Sequence, residues 1–109
     1  MSEPAIIVTM ADTVPGKENA QILGIARGSV VRARFVGRDF VAGLRNLVGG
    51  EVNEYTELMA QAREQALGRL ITHAKELGAD AVVTFRFSTS TVTEGAAEIL
   101  AYGTAVKFQ

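Results

Sequence analysis

The spacing of apolar residues divides the chain into short strands and helices. Ala5-Ile6-Ile7-Val8-Thr9-Met10 is a β-branched apolar run and predicts a strand. Asp12-Thr13-Val14-Pro15-Gly16 follows; proline pre-sets φ and the next glycine accepts positive φ, which predicts a type II turn. A second strand spans about Ala20 to Arg34, where Gly24 and Gly28 interrupt an imperfect alternation and predict a bulge or strong bend. After Val36-Gly37 the period lengthens. Phe40, Leu44 and Leu47 recur at helical spacing, with Arg38, Asp39, Arg45 and Asn46 on the other side, so a short amphipathic helix is expected, closed by Gly49-Gly50.

The longest periodic stretch runs from Glu51 to Leu77. Tyr55, Leu58, Met59, Ala62, Ala66, Leu70, Ala74 and Leu77 advance by three or four, which predicts one long helix with Gly78 as its left-handed C-cap. Ala81 to Ser88 then alternates, with Ala81, Val83, Phe85 and Phe87 expected on one buried face and Thr84, Arg86 and Ser88 on the other. Ser88-Thr89-Ser90-Thr91 and Glu94-Gly95 read as a loop, and a last strand from about Ala97 to Phe108 returns as a hairpin. These elements describe one α+β domain over residues 1–109, a small four-stranded, mainly antiparallel sheet with one long and one short helix in the order β-β-α-α-β-β.

The last strand is apolar on both sides. Leu100, Tyr102, Val106 and Phe108 are large and point one way, whereas Ile99, Ala101, Gly103 and Ala105 are mostly small and point the other. One helix covers one face of such a sheet, so the second face needs another cover. Identical subunits are the expected one; the short helix and second strand folding over within one chain are the alternative.

Composition narrows the functions open to this chain. At 109 residues there is room for one core. No apolar run approaches the roughly 18 residues that cross a bilayer, and Met1-Ser2-Glu3-Pro4 lacks the basic and apolar regions of a secretory signal, so a cytoplasmic location with no membrane partner is expected. The chain has no cysteine and one histidine, His73, which excludes disulfides, thiolate chemistry and any thiolate or multi-histidine metal site within one chain. The formal net charge of −1 argues against a dedicated nucleic-acid binder.

Candidate chemistry is sparse. Arg38, Asp39, Arg45 and Asn46 fall at i, i+7 spacing on one face of the short helix, where they would grip an anionic ligand or form salt bridges between subunits. Glu51, Glu54 and Glu57 supply oxygen ligands for a hard divalent cation, or complement the dipole of a helix start. His73 lies beside an apolar stripe, the setting of a hydrogen-bonded core or interface histidine. Arg27, Arg32, Arg34 and Arg38 with Phe35 make a basic, aromatic-interleaved stretch of the kind that single-stranded nucleic acid meets. The glycines match neither a P-loop nor a dinucleotide fingerprint.

The segment from Val36 through Gly37, Arg38, Asp39 and Phe40 to Gly49-Gly50-Glu51, with Glu54-Tyr55-Thr56-Glu57-Leu58, resembles the hallmark of the YbjQ-like family. Asp12 to Gly16, Gly78 to Val83 and Ala101 to Val106 are similar to its other blocks, so the resemblance spans roughly Ile6 to Phe108. It implies a cytoplasmic protein with a dodecin-like α+β fold, assembling into a ring of five subunits. The family is also labelled heavy-metal-binding; with neither thiolate nor paired imidazoles here, a cation would fall to Asp39, Glu51, Glu54 or Glu57, which suit Mg²⁺, Ca²⁺ or Mn²⁺ better. It implies no catalytic residue.

The expected function is that of a non-enzymatic homo-oligomer, a pentamer, with ligand or ion sites at subunit interfaces. Two alternatives stand beside it. One is an enzyme with a shared intersubunit site using Asp39, a helix-start glutamate or His73 as acid or base; the other is single-stranded nucleic-acid binding through the arginine stretch.

Overall fold

The alternating segments form one sheet, and the three-to-four-spaced segment forms the helix laid across it. A computed structural model describes residues 5–33, 50–93 and 96–109, with side chains described for 5–32, 56–91 and 96–109. In chain order the elements are β1 (Ile7–Val8), β2 (Gln21–Ala33), α1 (Gly50–Glu76), β3 (Ala81–Thr93) and β4 (Ala96–Lys107). The strands lie in the order β1-β3-β4-β2; β1 runs parallel to β3 and the other pairs are antiparallel. The short helix expected between Val36 and Gly49 lies outside the described residues.

Helix α1 buries Ala62, Ala66, Leu70 and Ala74 against Ala26 and Val30 of β2 and Ile99, Ala101 and Ala105 of β4. The small face of the last strand is therefore the one the helix covers. Its end follows from Gly78, whose φ of 81° lets the amides of Gly78 and Ala79 return to the carbonyls of Lys75 and Ala74, a Schellman motif. Gly28 keeps its register with Ala101, contrary to the expected bend; a Cβ there would run into the backbone of Ala66 and Leu70. The bulge of β2 lies at the other of the two glycines, as expected there, between Ile22 and Gly24, where Gly24 has φ 138°.

The helix also closes part of the sheet's edge. Along the outer edge of β2, the Arg27 amide donates to Nδ1 of His73 at 3.1 Å and a guanidinium nitrogen of Arg69 donates to the Ser29 carbonyl at 2.6 Å. Arg32 donates to Gln65 at 2.6 Å, adding a third tie. Edge groups that would otherwise invite another strand are thereby occupied.

Three expectations about β1 and β3 need correction. The first strand shrinks from Ala5–Met10 to Ile7–Val8, because beyond it the backbone follows a distorted partner: Phe85 donates to the Thr9 carbonyl and Thr84 to that of Ala11. The distortion is a bulge of β3 between Val83 and Arg86, which turns Phe85 over. Val82 and Phe85 join the core under α1, whereas Ala81 and Val83 pack with Val106 on the opposite face. The expected quartet of Ala81, Val83, Phe85 and Phe87 is thus split between faces. Finally, Ser88 to Thr91 are strand rather than loop, paired with Leu100 to Ala97; threonines favour extended backbone, and exposure on both sides removes any need for apolar alternation.

The second face of the sheet carries a small cluster of Ala81, Val83 and Val106 with Val14, Ala20 and Phe108. The rest of it is open. Ile22, Ile25 and Val31 of β2 are 72%, 65% and 59% exposed, and Tyr102 of β4 is 37% exposed.

Candidate functional site

The bulge of β2 at Gly24 and that of β3 at Thr84 flank the same stretch of β4, and a cavity lies between them on the second face. Ile22 pairs with Val106 beside one bulge, and Val83 pairs with Thr104 beside the other. The segment after β1 crosses this opening and makes the predicted turn: Lys17 donates to the Val14 carbonyl at 2.8 Å, and Gly16 takes φ 80°. The result is a cavity of about 310 Å³ with Val83, Val106 and Ile22 as apolar lining and Asp12, Thr13, Lys17, Glu18, Thr84 and Thr104 as polar lining. This volume is at the lower end for small-molecule sites.

Thr84 is the unusual residue of the cavity. Its φ of 55° places a β-branched side chain in the left-handed region, at a cost of about 1–2 kcal/mol. Such strain persists where the surroundings over-determine it, commonly at ligand sites. Here the Thr84 amide donates to Ala11, the Phe85 amide to Thr9, and the Thr84 hydroxyl to Asp12 Oδ1 at 3.3 Å. Close packing on β4 adds to this: a Cβ on Gly103 would press on Val82, the Val83 carbonyl and the Phe85 backbone.

The charged groups of the lining are held in different ways. Glu18 accepts the Gly16 amide at 2.9 Å, and bonds from its own amide and from Gly16 hold its carboxyl below the ordinary glutamate range. Lys17 holds its ammonium 5.3 Å from the centre of the Phe108 ring. Asp12 accepts only the Thr84 hydroxyl among the described residues, and the hydroxyls of Thr13 and Thr104 have no partner among them.

The sequence-predicted site residues are distributed elsewhere. Arg38, Asp39, Arg45 and Asn46 lie outside the described residues. Glu51 and Glu54 fall in the first turns of α1, with side chains outside the described set, and Glu57 is exposed on the helix. His73 is hydrogen-bonded to the β2 edge, as its position beside the apolar stripe implied. Of the arginine stretch, Arg27 is exposed and Arg32 is tied to Gln65. The cavity was missed because Asp12 to Gly16 reads as a turn alone, while its partner Thr84 lies 72 residues away. Three hydroxyl or carboxylate residues beside a turn are too common to signal a site.

Fold and cavity together define a small α+β domain whose helix shields one sheet face and whose other face holds a polar-rimmed recess. The chain belongs to the YbjQ family, described as "Putative heavy-metal-binding", which it matches over residues 6–109. It is 57% identical to a UPF0145 protein of Archaeoglobus fulgidus over 98% of this chain and 99% of that one. It is 59% identical to a UPF0145 protein of Pyrococcus furiosus over 93% and 89%, and 50% identical to one of Vibrio parahaemolyticus over 94% and 97%. A crystal structure of a DUF74-family protein of unknown function from Pediococcus pentosaceus shares the fold with TM-score 0.66 at 14% identity, over 95% of this chain and 98% of that one.

The donor set does not fit the soft metal in the family's description. The chain has no cysteine, and its one imidazole spends Nδ1 on a backbone amide. Among the described residues no three histidine, aspartate or glutamate side chains converge on a point. Among those residues, too, no helix is long and apolar enough to cross a membrane.

Proposed function

We propose that this protein is a non-enzymatic homo-oligomeric binding module, assembled through the second face of its sheet, with ligand or ion sites near subunit boundaries. The observation that carries this reading is the row Ile22, Ile25 and Val31, each more than half exposed on one face of an edge strand, continued by Tyr102 on β4. Fully burying an aliphatic side chain is worth about 1.5–3 kcal/mol, so covering this row on every subunit supplies several kcal/mol per contact. A second copy of the chain is the occupant we favour, because the patch is a strand face with aliphatic and tyrosine side chains around Arg27 and Arg86, the mixture that self-complementary interfaces use. The resemblance of the hallmark segment to its family sets the expected number of subunits at five.

Native mass spectrometry of untagged protein, with sedimentation velocity at micromolar concentration, tests the proposal. A single closed assembly is expected, and Ile25→Lys, which places a charge in the middle of the row, is expected to release folded single chains. Wild-type protein that sediments only as single chains overturns the reading.

A further inference from the structure

We propose that the cavity between the 12–18 segment and the bulge at Thr84 binds a small zwitterion of amino-acid size, with its ammonium on Asp12, its carboxylate on Lys17 and its apolar side chain over Val83 and Val106. The lining holds two carboxylates, Asp12 and Glu18, each accepting one hydrogen bond, from the Thr84 hydroxyl and the Gly16 amide, and one ammonium, Lys17, which rests over Phe108 and has no carboxylate partner among the described residues. A simple anion would meet Asp12, and a simple cation would meet Lys17. A ligand carrying both charges satisfies both, and charge-assisted hydrogen bonds are the strong ones.

The remaining lining fits the same ligand. Val83 and Val106 are buried side chains that nevertheless border the cavity, so they offer an apolar floor already shielded from bulk water. Thr104 is half-buried with no hydroxyl partner among the described residues, and it and Thr13 supply neutral bonds to a carboxylate or ammonium. The strained backbone of Thr84 gives the arrangement a purpose. Glycine would accept φ 55° without penalty but would leave Asp12 without the hydroxyl that orients it. All these groups come from one chain, and of the cavity lining only Ile22 is shared with the row proposed to meet a second copy.

Isothermal titration calorimetry of the full chain with L-leucine tests the site, with isocaproate and isoamylamine as isosteres that each keep one charge. L-leucine is expected to bind, and each single-charge isostere to bind at least about tenfold more weakly, the loss that one charge-assisted bond accounts for. Asp12→Asn keeps an acceptor for Thr84 while removing the charge, and Lys17→Gln removes the other; both positions are exposed, and each variant is expected to lose at least about tenfold in affinity. Ile25→Lys, whose residue does not line the cavity, is expected to bind L-leucine like the wild type, so that the fate of the assembly and the fate of this site are read separately. No heat with L-leucine at ~10 mM, where even a weak millimolar site would fill, overturns the proposal. So does undiminished affinity in Asp12→Asn or in isoamylamine, or loss of binding in Ile25→Lys.

Discussion

Thr84 and Gly28 are two residues at which side-chain size and backbone conformation conflict with their usual partners. Thr84→Gly removes the left-handed strain while forfeiting one exposed hydrogen bond and some chain stiffness, so denaturant unfolding should show a gain of up to about 1 kcal/mol. A loss of more than that would mean the φ of 55° stores no strain. At Gly28 the sign reverses. Any Cβ meets the backbone of Ala66 and Leu70, with Cβ of Arg69 at 2.7 Å, and Gly28→Val should destabilise by about 2 kcal/mol or more in the same measurement. Glu18 gives a pH-dependent case. Its folded carboxyl titrates below its unfolded value, so its contribution is present above the unfolded pKa and lost as pH falls through the folded one. Glu18→Gln should therefore flatten part of the acid limb of stability against pH, most visibly in hydrogen exchange of the Gly16 amide.

Among elements, the helix is the one whose extent and ending were most legible: its three-to-four spacing and Gly78 mark it, and the structure places it at Gly50–Glu76. The bulge of β3 was hidden for a physical reason. Val83 and Phe85 keep the two-residue alternation unbroken, and the left-handed position is filled by threonine where glycine would have signalled it. The cavity was hidden with it, since Thr84, at the bulge, is the lining residue that meets Asp12. The polar end of β3 was hidden because patterning reports burial, and Ser88 to Thr91 have none to report. At this scale the helix-to-edge ties make a prediction. His73→Ala leaves the Arg27 amide to solvent, so its hydrogen exchange should accelerate while amides bonded within the β2–β4 ladder keep their rates. Equal acceleration along the whole strand would instead show that the histidine holds the entire helix in place.

For the molecule as a whole, the two-sided greasiness of the last strand is resolved unequally: α1 shelters the small side, and the large side stays partly wet at Tyr102. That division follows from volume, because a helix approaches closely only where alanine and glycine allow it. Apart from Leu70, Val30 and Ile99, this contact is made by alanines, at 62, 66 and 74 of α1 and at 26, 101 and 105 of the sheet, and at those positions it has already been pared to single methyl groups. Inherited variation along it therefore has one direction left. A saturation library sorted for folded protein should keep serine or glycine at several of these positions and discard nearly every branched or aromatic replacement. That lopsided tolerance would mark out the helix footprint from genetics alone.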